Sequence, residues 1–189
     1  MELDQGLATR LRDRWPNVDV VEGDAAAVEL PREPFRVVGN LPFDRTTAIL
    51  RHLLDDPSVP LVRADVIVEW GVAAKRALPW PSTLNGVLWA AWYSVELTRR
   101  LPRTAFEPPP SVDGGVLVFR RRAQPLVPAS AAESYRRFVA RGFRRGLRSL
   151  ASGRELRLLG VTSPEARELD AYQWTALFLK GGATGRASS

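Results

Sequence analysis

The chain reads Phe35-Arg36-Val37-Val38-Gly39-Asn40-Leu41-Pro42-Phe43 where a β-rich run meets a turn that contains proline. Branched and aromatic side chains predict a β-strand over residues 35–39. The segment 46–54 that follows reads as a helix, and we expect Asp44 to be its N-cap. In open α/β sheets, ligands bind beyond the carboxyl ends of the strands. The sequence therefore predicts a ligand site at residues 40–43, the Asn-Leu-Pro-Phe turn.

Strands and helices alternate on both sides of this turn. The first half of the chain gives predicted strands at 18–21, 35–39 and 65–70, and predicted helices at 5–15, 46–54 and 72–77. This order is typical of βαβ units and a parallel sheet. Strands predicted at 93–101 and 115–119 follow a helix at 84–92 and indicate an antiparallel end to the sheet.

A change of composition near residue 122 indicates a domain boundary. The run Arg120-Arg121-Arg122 is followed by Pro125 and Pro128, and from there the pattern is helical. We expect an α/β domain over 1–122, helices at 131–150, 155–159 and 169–179 forming a small all-helical domain over 123–180, and a disordered tail over 181–189.

Composition excludes several kinds of chemistry. The chain has 189 residues, no Cys and one His, so disulfides, thiolate catalysis and zinc fingers are excluded. Its net charge of +6 is uneven: residues 1–98 carry 10 basic and 14 acidic groups, and residues 99–189 carry 17 and 7. A basic C-terminal half is typical of nucleic-acid binding. Without a basic leader or a long apolar run, we expect a cytoplasmic protein that does not bind a membrane. We also expect no metal, because the chain has no Cys and a single His.

A second motif lies between the two late strands. It reads Phe106-Glu107-Pro108-Pro109-Pro110-Ser111-Val112-Asp113. Taken alone it could be a rigid connector, and the Asn-Leu-Pro-Phe turn could be a helix entry with a buried Phe. Together and in this order, the two motifs resemble those of the rRNA adenine N6-methyltransferases, from Glu2 to about Leu179.

The resemblance is strongest to the erythromycin-resistance type, which methylates 23S rRNA and confers resistance to macrolide-type antibiotics. The 16S rRNA dimethyladenosine transferases are the alternative, although Val68-Glu69-Trp70-Gly71 departs from their Gln-x-Glu pattern. A DNA adenine methyltransferase is a weaker alternative. The family implies a Rossmann-like class I methyltransferase sheet, S-adenosyl-L-methionine as cofactor, and a monomer that binds ribosomal RNA.

The resemblance also assigns residues. Glu2 corresponds to the acidic residue that holds the cofactor ribose, and Asp24 and Ala25 to the pair that reads its adenine. Asn40, Leu41, Pro42 and Phe43 correspond to the catalytic segment, with Asn40 also touching the cofactor. Phe43 stacks on the target base and Phe106 covers its other side. We expect Arg144, Arg145 and Arg148 to contact RNA.

One part of the family pattern is not found in these 189 residues. The Gly-rich loop that cradles the methionine part of the cofactor would precede Glu2. We therefore expect an N-terminally truncated sheet, very weak cofactor binding and no detectable turnover for the 189 residues alone. The strand at 35–39 should have an unpaired edge or pair with residues 1–4. An inactive RNA-binding remnant is the alternative function.

Overall fold

The computed structural model describes residues 1–77, 83–163 and 165–184. Four strands form one sheet: β1 (Phe35–Asn40), β2 (Leu61–Glu69), β3 (Tyr93–Leu101) and β4 (Gly114–Arg121). Their order is β1-β2-β4-β3. The pair β1–β2 is parallel, and β4 is antiparallel to both β2 and β3. The predicted antiparallel end of the sheet is confirmed.

Seven α-helices surround the sheet or follow it within those ranges. They are α1 (Gln5–Arg14), α2 (Thr46–Leu54), α3 (Trp70–Ala77), α4 (Leu84–Ala90), α5 (Ala132–Arg145), α6 (Gly153–Leu158) and α7 (Ala171–Thr184). Helix α2 connects β1 to β2 as a parallel βαβ unit requires. None of the helices described is long and apolar enough to cross a bilayer.

The core lies where β2 is covered by α2. Ala64, Val66 and Val68 alternate along β2 and are fully buried, and Leu50 and Leu54 of α2 are fully buried too. Burying each such leucine stabilises the fold by about 1.5–3 kcal/mol. This packing fixes the end of β1, and with it the position of the Asn-Leu-Pro-Phe turn.

Strand β1 is an edge strand in the part of the chain described here. It pairs with β2 alone, and the side chain of Val38 is 85% exposed. Glu2 forms a single parallel bridge with Glu22 instead of pairing with β1. The expectation of an unpaired edge is confirmed. The predicted strand at 18–21 is wrong: alternating side chains give propensity, but a strand also needs a hydrogen-bonding neighbour along its length.

The helices after β4 pack around aromatic rings. Phe143 of α5 is stacked on Trp174 of α7, with 5.6 Å between the ring centroids. The ring of Trp92 meets Tyr135 edge-on at 6.0 Å, and its Nε1 donates to the carbonyl of Val127 at 2.8 Å. Core packing therefore continues from the sheet into the helices.

Several element ends differ from the sequence predictions; β2, for example, begins at Leu61 instead of residue 65. Helix α5 ends at Arg145 because Gly146 has φ +77°, and a short 3-10 turn at Leu147–Ser149 replaces the predicted continuation to residue 150. Helix α7 continues to Thr184, so a disordered tail from residue 181 is wrong for 181–184; residues 185–189 lie outside the described residues. Arg45, not Asp44, is the N-cap of α2.

Candidate active site

The Asn-Leu-Pro-Phe turn begins at the last residue of β1. The backbone N–H of Leu41 donates to the carbonyl of Ile67 at 3.0 Å, which extends the β1–β2 ladder by one residue and buries the Leu41 side chain. The carbonyl of Pro42 accepts from the N–H of Arg45 and the hydroxyl of Thr46, each at 3.0 Å. These bonds anchor both ends of the turn.

The same bonds leave the polar groups of Asn40 exposed. Its side-chain amide makes no hydrogen bond to any residue in the described ranges, and Phe43 is half-buried. An amide without a protein partner beside an accessible ring can receive an external polar, planar group. The turn thus presents one acceptor and one stacking surface to the same space.

The proline-rich loop (residues 102–113) faces this turn. One cleft of about 520 Å³ is lined by Asn40, Leu41, Pro42, Phe43, Ala105, Phe106, Glu107, Pro108 and Pro110. The Phe106 ring lies against the start of β4, because a Cβ on Gly114 would be 3.0 Å from Cζ of Phe106. The structure therefore brings together all four residues of the turn and Phe106, as the sequence predicts.

The acidic residues assigned to the cofactor lie near one another at the start of the chain. The N–H of Gly23 donates to the carbonyl of Glu2 at 2.9 Å, and Glu2 Oε1 accepts the N–H groups of Leu3 and Asp4. Asp24 Oδ1 accepts the N–H of Ala26 at 2.9 Å, and Asp24 Oδ2 forms an ion pair with Arg45. Neither acidic residue lines the 520 Å³ cleft.

Ala25 and His52 have structural contacts. Ala25 is half-buried and packs against the core. His52 Nε2 lies 2.7 Å from the carbonyl of Val28, so the single histidine tethers the segment after Asp24 to α2. In the ranges that the structure describes, no three His, Cys, Asp or Glu side chains lie close enough to hold a metal.

The three arginines predicted to contact RNA do not lie on one surface. Arg144 and Arg145 line a groove of about 630 Å³ on α5 and α7, whereas Arg148 does not. The guanidinium of Arg148 packs instead against Gly153, where a side chain would collide with it. Gly146 ends α5 before Arg148, which turns this residue away from the helix face.

Two further arginines, which the sequence analysis did not predict as RNA contacts, line that groove. Arg137 and Arg141 precede Arg144 and Arg145 at helical spacing, together with Phe138, Leu150 and Phe178. Arg141 lies over the Phe138 ring at 5.7 Å. Arg144 and Arg145 form no ion pair with described residues. The spacing i, i+4, i+7, i+8 in the sequence is the signal that could have found this arginine groove.

Comparison with known proteins gives consistent matches. The profile of the ribosomal RNA adenine dimethylase family matches residues 1–160. An rRNA adenine N-6-methyltransferase of Corynebacterium diphtheriae is 38% identical over 141 residues, covering 74% of this chain and 55% of that protein. The mycinamicin-resistance protein MyrB of Micromonospora griseorubida is 35% identical over 192 residues, covering 94% and 61%. The chain thus spans little more than half the length of these two relatives.

A solved structure agrees with the sequence matches. The crystal structure of the 23S rRNA methyltransferase ErmE superposes with a TM-score of 0.77 at 27% identity, covering 95% of this chain and 80% of that one. The Rossmann-like methyltransferase fold and the resemblance drawn from the two motifs are both confirmed. The chain belongs to the ribosomal RNA adenine dimethylase family, alongside the resistance-type rRNA adenine N6-methyltransferases.

Proposed function

We propose that this protein transfers a methyl group from S-adenosyl-L-methionine to N6 of an adenine in 23S rRNA, and so confers resistance to macrolide-type antibiotics. One observation carries the proposal: the cleft that sets Asn40 and Phe43 opposite Phe106. The choice of 23S rRNA is supported by the likeness to a mycinamicin-resistance protein and to ErmE.

The cleft supplies what an exocyclic amine needs. The N6 lone pair of adenine is delocalised into the ring, so the nitrogen is a poor nucleophile. The Asn40 side-chain oxygen and the Leu41 carbonyl accept the two amino hydrogens, which favours a more pyramidal and more reactive nitrogen. Phe43 and Phe106 stack on the two faces of the extruded base. The reaction then depends on holding the amine in line with the methyl group and its sulfur, and general acid–base catalysis is not needed.

Proton removal needs no dedicated base in this scheme. Once methylated, the amine is a strong acid and loses its proton to water. The only histidine is occupied by the Val28 carbonyl and lies on α2 outside the cleft. The residue types of the cleft are therefore sufficient for the reaction.

The residues near the start of the chain fit the adenosine half of the cofactor. Carboxylates at Glu2 and Asp24 are acceptors for ribose hydroxyls and an adenine amino group, and the small side chain of Ala25 directly follows Asp24. The cofactor would supply the electrophilic methyl group on its sulfonium. In the bound state the adenine amino group would compete with Arg45 for the Asp24 carboxylate.

Ribosomal RNA would be held mainly by the helical part of the chain. Four arginines in one groove suit a phosphate backbone, since guanidinium groups bind phosphate oxygens in pairs. We therefore assign catalysis to residues 1–122 and RNA binding to 123–180, with Arg148 as an outer contact. A monomer working in the cytoplasm, where ribosomes lie, completes the proposal.

Methyl incorporation tests the proposal. Protein expressed from the complete gene is incubated with tritiated S-adenosyl-L-methionine and with separated 23S and 16S rRNA, and Asn40→Ala is the matched inactive variant. We expect N6-methyladenine in 23S rRNA with wild type only. Label confined to 16S rRNA would favour the small-subunit alternative. Tight RNA binding without any label would favour the inactive remnant.

A further inference from the structure

Asp113 is the last residue of the proline-rich loop and joins three parts of the chain. Its Oδ1 accepts the backbone N–H of Arg103 at 2.9 Å, and its Oδ2 accepts from Nε of Arg100 at 2.9 Å. Nη2 of Arg100 lies 2.8 Å from the same oxygen. The backbone carbonyl of Asp113 accepts the N–H of Trp70 at 2.8 Å. One residue therefore binds the end of β3, the start of the loop and the start of α3.

The contacts of Asp113 are mutually reinforcing. The guanidinium of Arg100 lies over the Trp70 ring, 4.8 Å from its centroid, so the cation is held between ring and carboxylate. The N–H of Arg103 and then the guanidinium of Arg100 lower the pKa of Asp113 below its ordinary value. The carboxylate is charged at neutral pH, and charge-assisted hydrogen bonds are the stronger kind.

These contacts determine where Phe106 can lie. The Arg103–Asp113 hydrogen bond closes the loop at its base, and Phe106 leans back onto Gly114, the residue after Asp113. A Cβ at Gly114 would also lie 3.3 Å from Cγ2 of Ile67 on β2. The ring is therefore seated on the backbone that Asp113 anchors.

We propose that Asp113 is a positioning residue for the target-base cleft. It closes the proline-rich loop through Arg100 and Arg103, and so holds the Phe106 ring across from the Asn-Leu-Pro-Phe turn. This inference rests on the proposed function, because the position of Phe106 matters for catalysis only if the cleft takes a base. RNA affinity should be nearly independent of Asp113, since the arginine groove lies on α5 and α7.

Asp113→Asn tests the inference, with Glu96→Gln as matched control. Glu96 of β3 pairs with Arg120 of β4 at 3.5 Å and forms no ion pair with the loop. In protein expressed from the complete gene, we expect Asp113→Asn to speed amide exchange of residues 103–107 and to lower kcat about tenfold, with an unchanged dissociation constant for rRNA. Glu96→Gln should change none of the three. Gly114→Ala, which pushes the ring but keeps the Asp113 bonds, should lower kcat without faster exchange.

Two results would overturn the inference: wild-type exchange rates in Asp113→Asn, or faster exchange with an unchanged kcat. If Asp113→Asn does not fold, Arg100→Gln replaces it in the test, because this variant keeps the hydrogen bond between Arg103 and Asp113. It should also speed amide exchange in the loop and lower kcat, but by less. If wild-type protein methylates no rRNA, the proposed function fails by itself. The exchange rates of the loop and the position of the Phe106 ring then still decide whether Asp113 positions it.

Discussion

The carboxylate of Asp24 forms an ion pair with the guanidinium of Arg45, the second residue after Phe43. The pair links the residue assigned to the cofactor adenine with the turn assigned to the target base. Both side chains are partly exposed, at 36% and 50%, so water screens their attraction. If Asp24 binds the adenine amino group of the cofactor, as proposed, that amino group competes with Arg45 for the Asp24 carboxylate.

Removing Arg45 should strengthen cofactor binding. An exposed ion pair is worth at most about 1 kcal/mol, so Arg45→Ala should lower the dissociation constant of S-adenosyl-L-methionine by up to about fivefold. Isothermal titration calorimetry measures this. Arg51→Ala is the control, because Arg51 lies within α2 and pairs with Asp55 instead of Asp24. Weaker cofactor binding in Arg45→Ala than in wild type would contradict this competition.

The Phe43 ring should stabilise the bound target base by stacking on it. In protein expressed from the complete gene, removing its ring with Phe43→Ala should cost about 1–3 kcal/mol, which is about a 5- to 150-fold loss of kcat/KM for rRNA. Phe43→Tyr keeps the ring and should retain most of the activity. Tritiated methyl incorporation gives both values, and full activity in Phe43→Ala would refute the stacking role.

The turn could be predicted from sequence because its determinants are local. Residues 35–39 specify a strand, Pro42 stiffens the exit, and α2 (Thr46–Leu54) begins and ends at the predicted residues. The position of Phe106 opposite the turn could be predicted only from the family resemblance, because Phe106 lies 63 residues after Phe43 in the sequence. The Asp24–Arg45 pair could not be predicted, because it depends on how two loops meet in space.

Helix ends limited the prediction of the RNA surface. Arg148 was grouped with Arg144 and Arg145 by position in the chain, but the positive φ of Gly146 separates it from them. Arg137 and Arg141 could have been predicted from their helical spacing relative to Arg144 and Arg145. The strand at 18–21 failed for a different reason: its partner would have to come from elsewhere in the fold, and no local pattern reports that.

Salt dependence should identify the RNA surface. Replacing Arg141, Arg144 and Arg145 by Gln removes three groove cations, so the slope of log K against log salt should become shallower by about 2. The matched control is Arg10, Arg12 and Arg14 of α1 replaced by Gln, which should change the slope less. Filter binding to a 23S rRNA fragment gives both slopes. The same slope in the two triple variants would contradict the assignment.

Acid should destabilise the sheet through Asp65. Arg63 donates to it through Nε at 2.5 Å and Nη2 at 2.6 Å, and these bonds lower the pKa of Asp65 from its ordinary 3.8. Since the unfolded chain binds the proton more readily, this stabilisation is complete above about pH 4–5 and is lost as the pH falls further. Melting temperatures from pH 7 to pH 3 should therefore fall less steeply in Asp65→Asn than in wild type. If the melting curves of Asp65→Asn and wild type ran parallel from pH 7 to pH 3, Asp65 would not be the source of this acid sensitivity.

Fluorine NMR tests most directly that the cleft between the Asn-Leu-Pro-Phe turn and the proline-rich loop takes an adenine. The chain has seven phenylalanines, and labelling with fluorophenylalanine gives one resonance for each, assigned with Phe43→Leu and Phe106→Leu. The protein is titrated with the tightest-binding fragment of 23S rRNA and with the same fragment in which the methylated adenine is replaced by uracil. If the cleft takes an adenine, the Phe43 and Phe106 resonances should shift with the adenine fragment and much less with the uracil one. Shifts confined to Phe138, Phe143 and Phe178 of the helical part, with Phe43 and Phe106 unmoved, would contradict it.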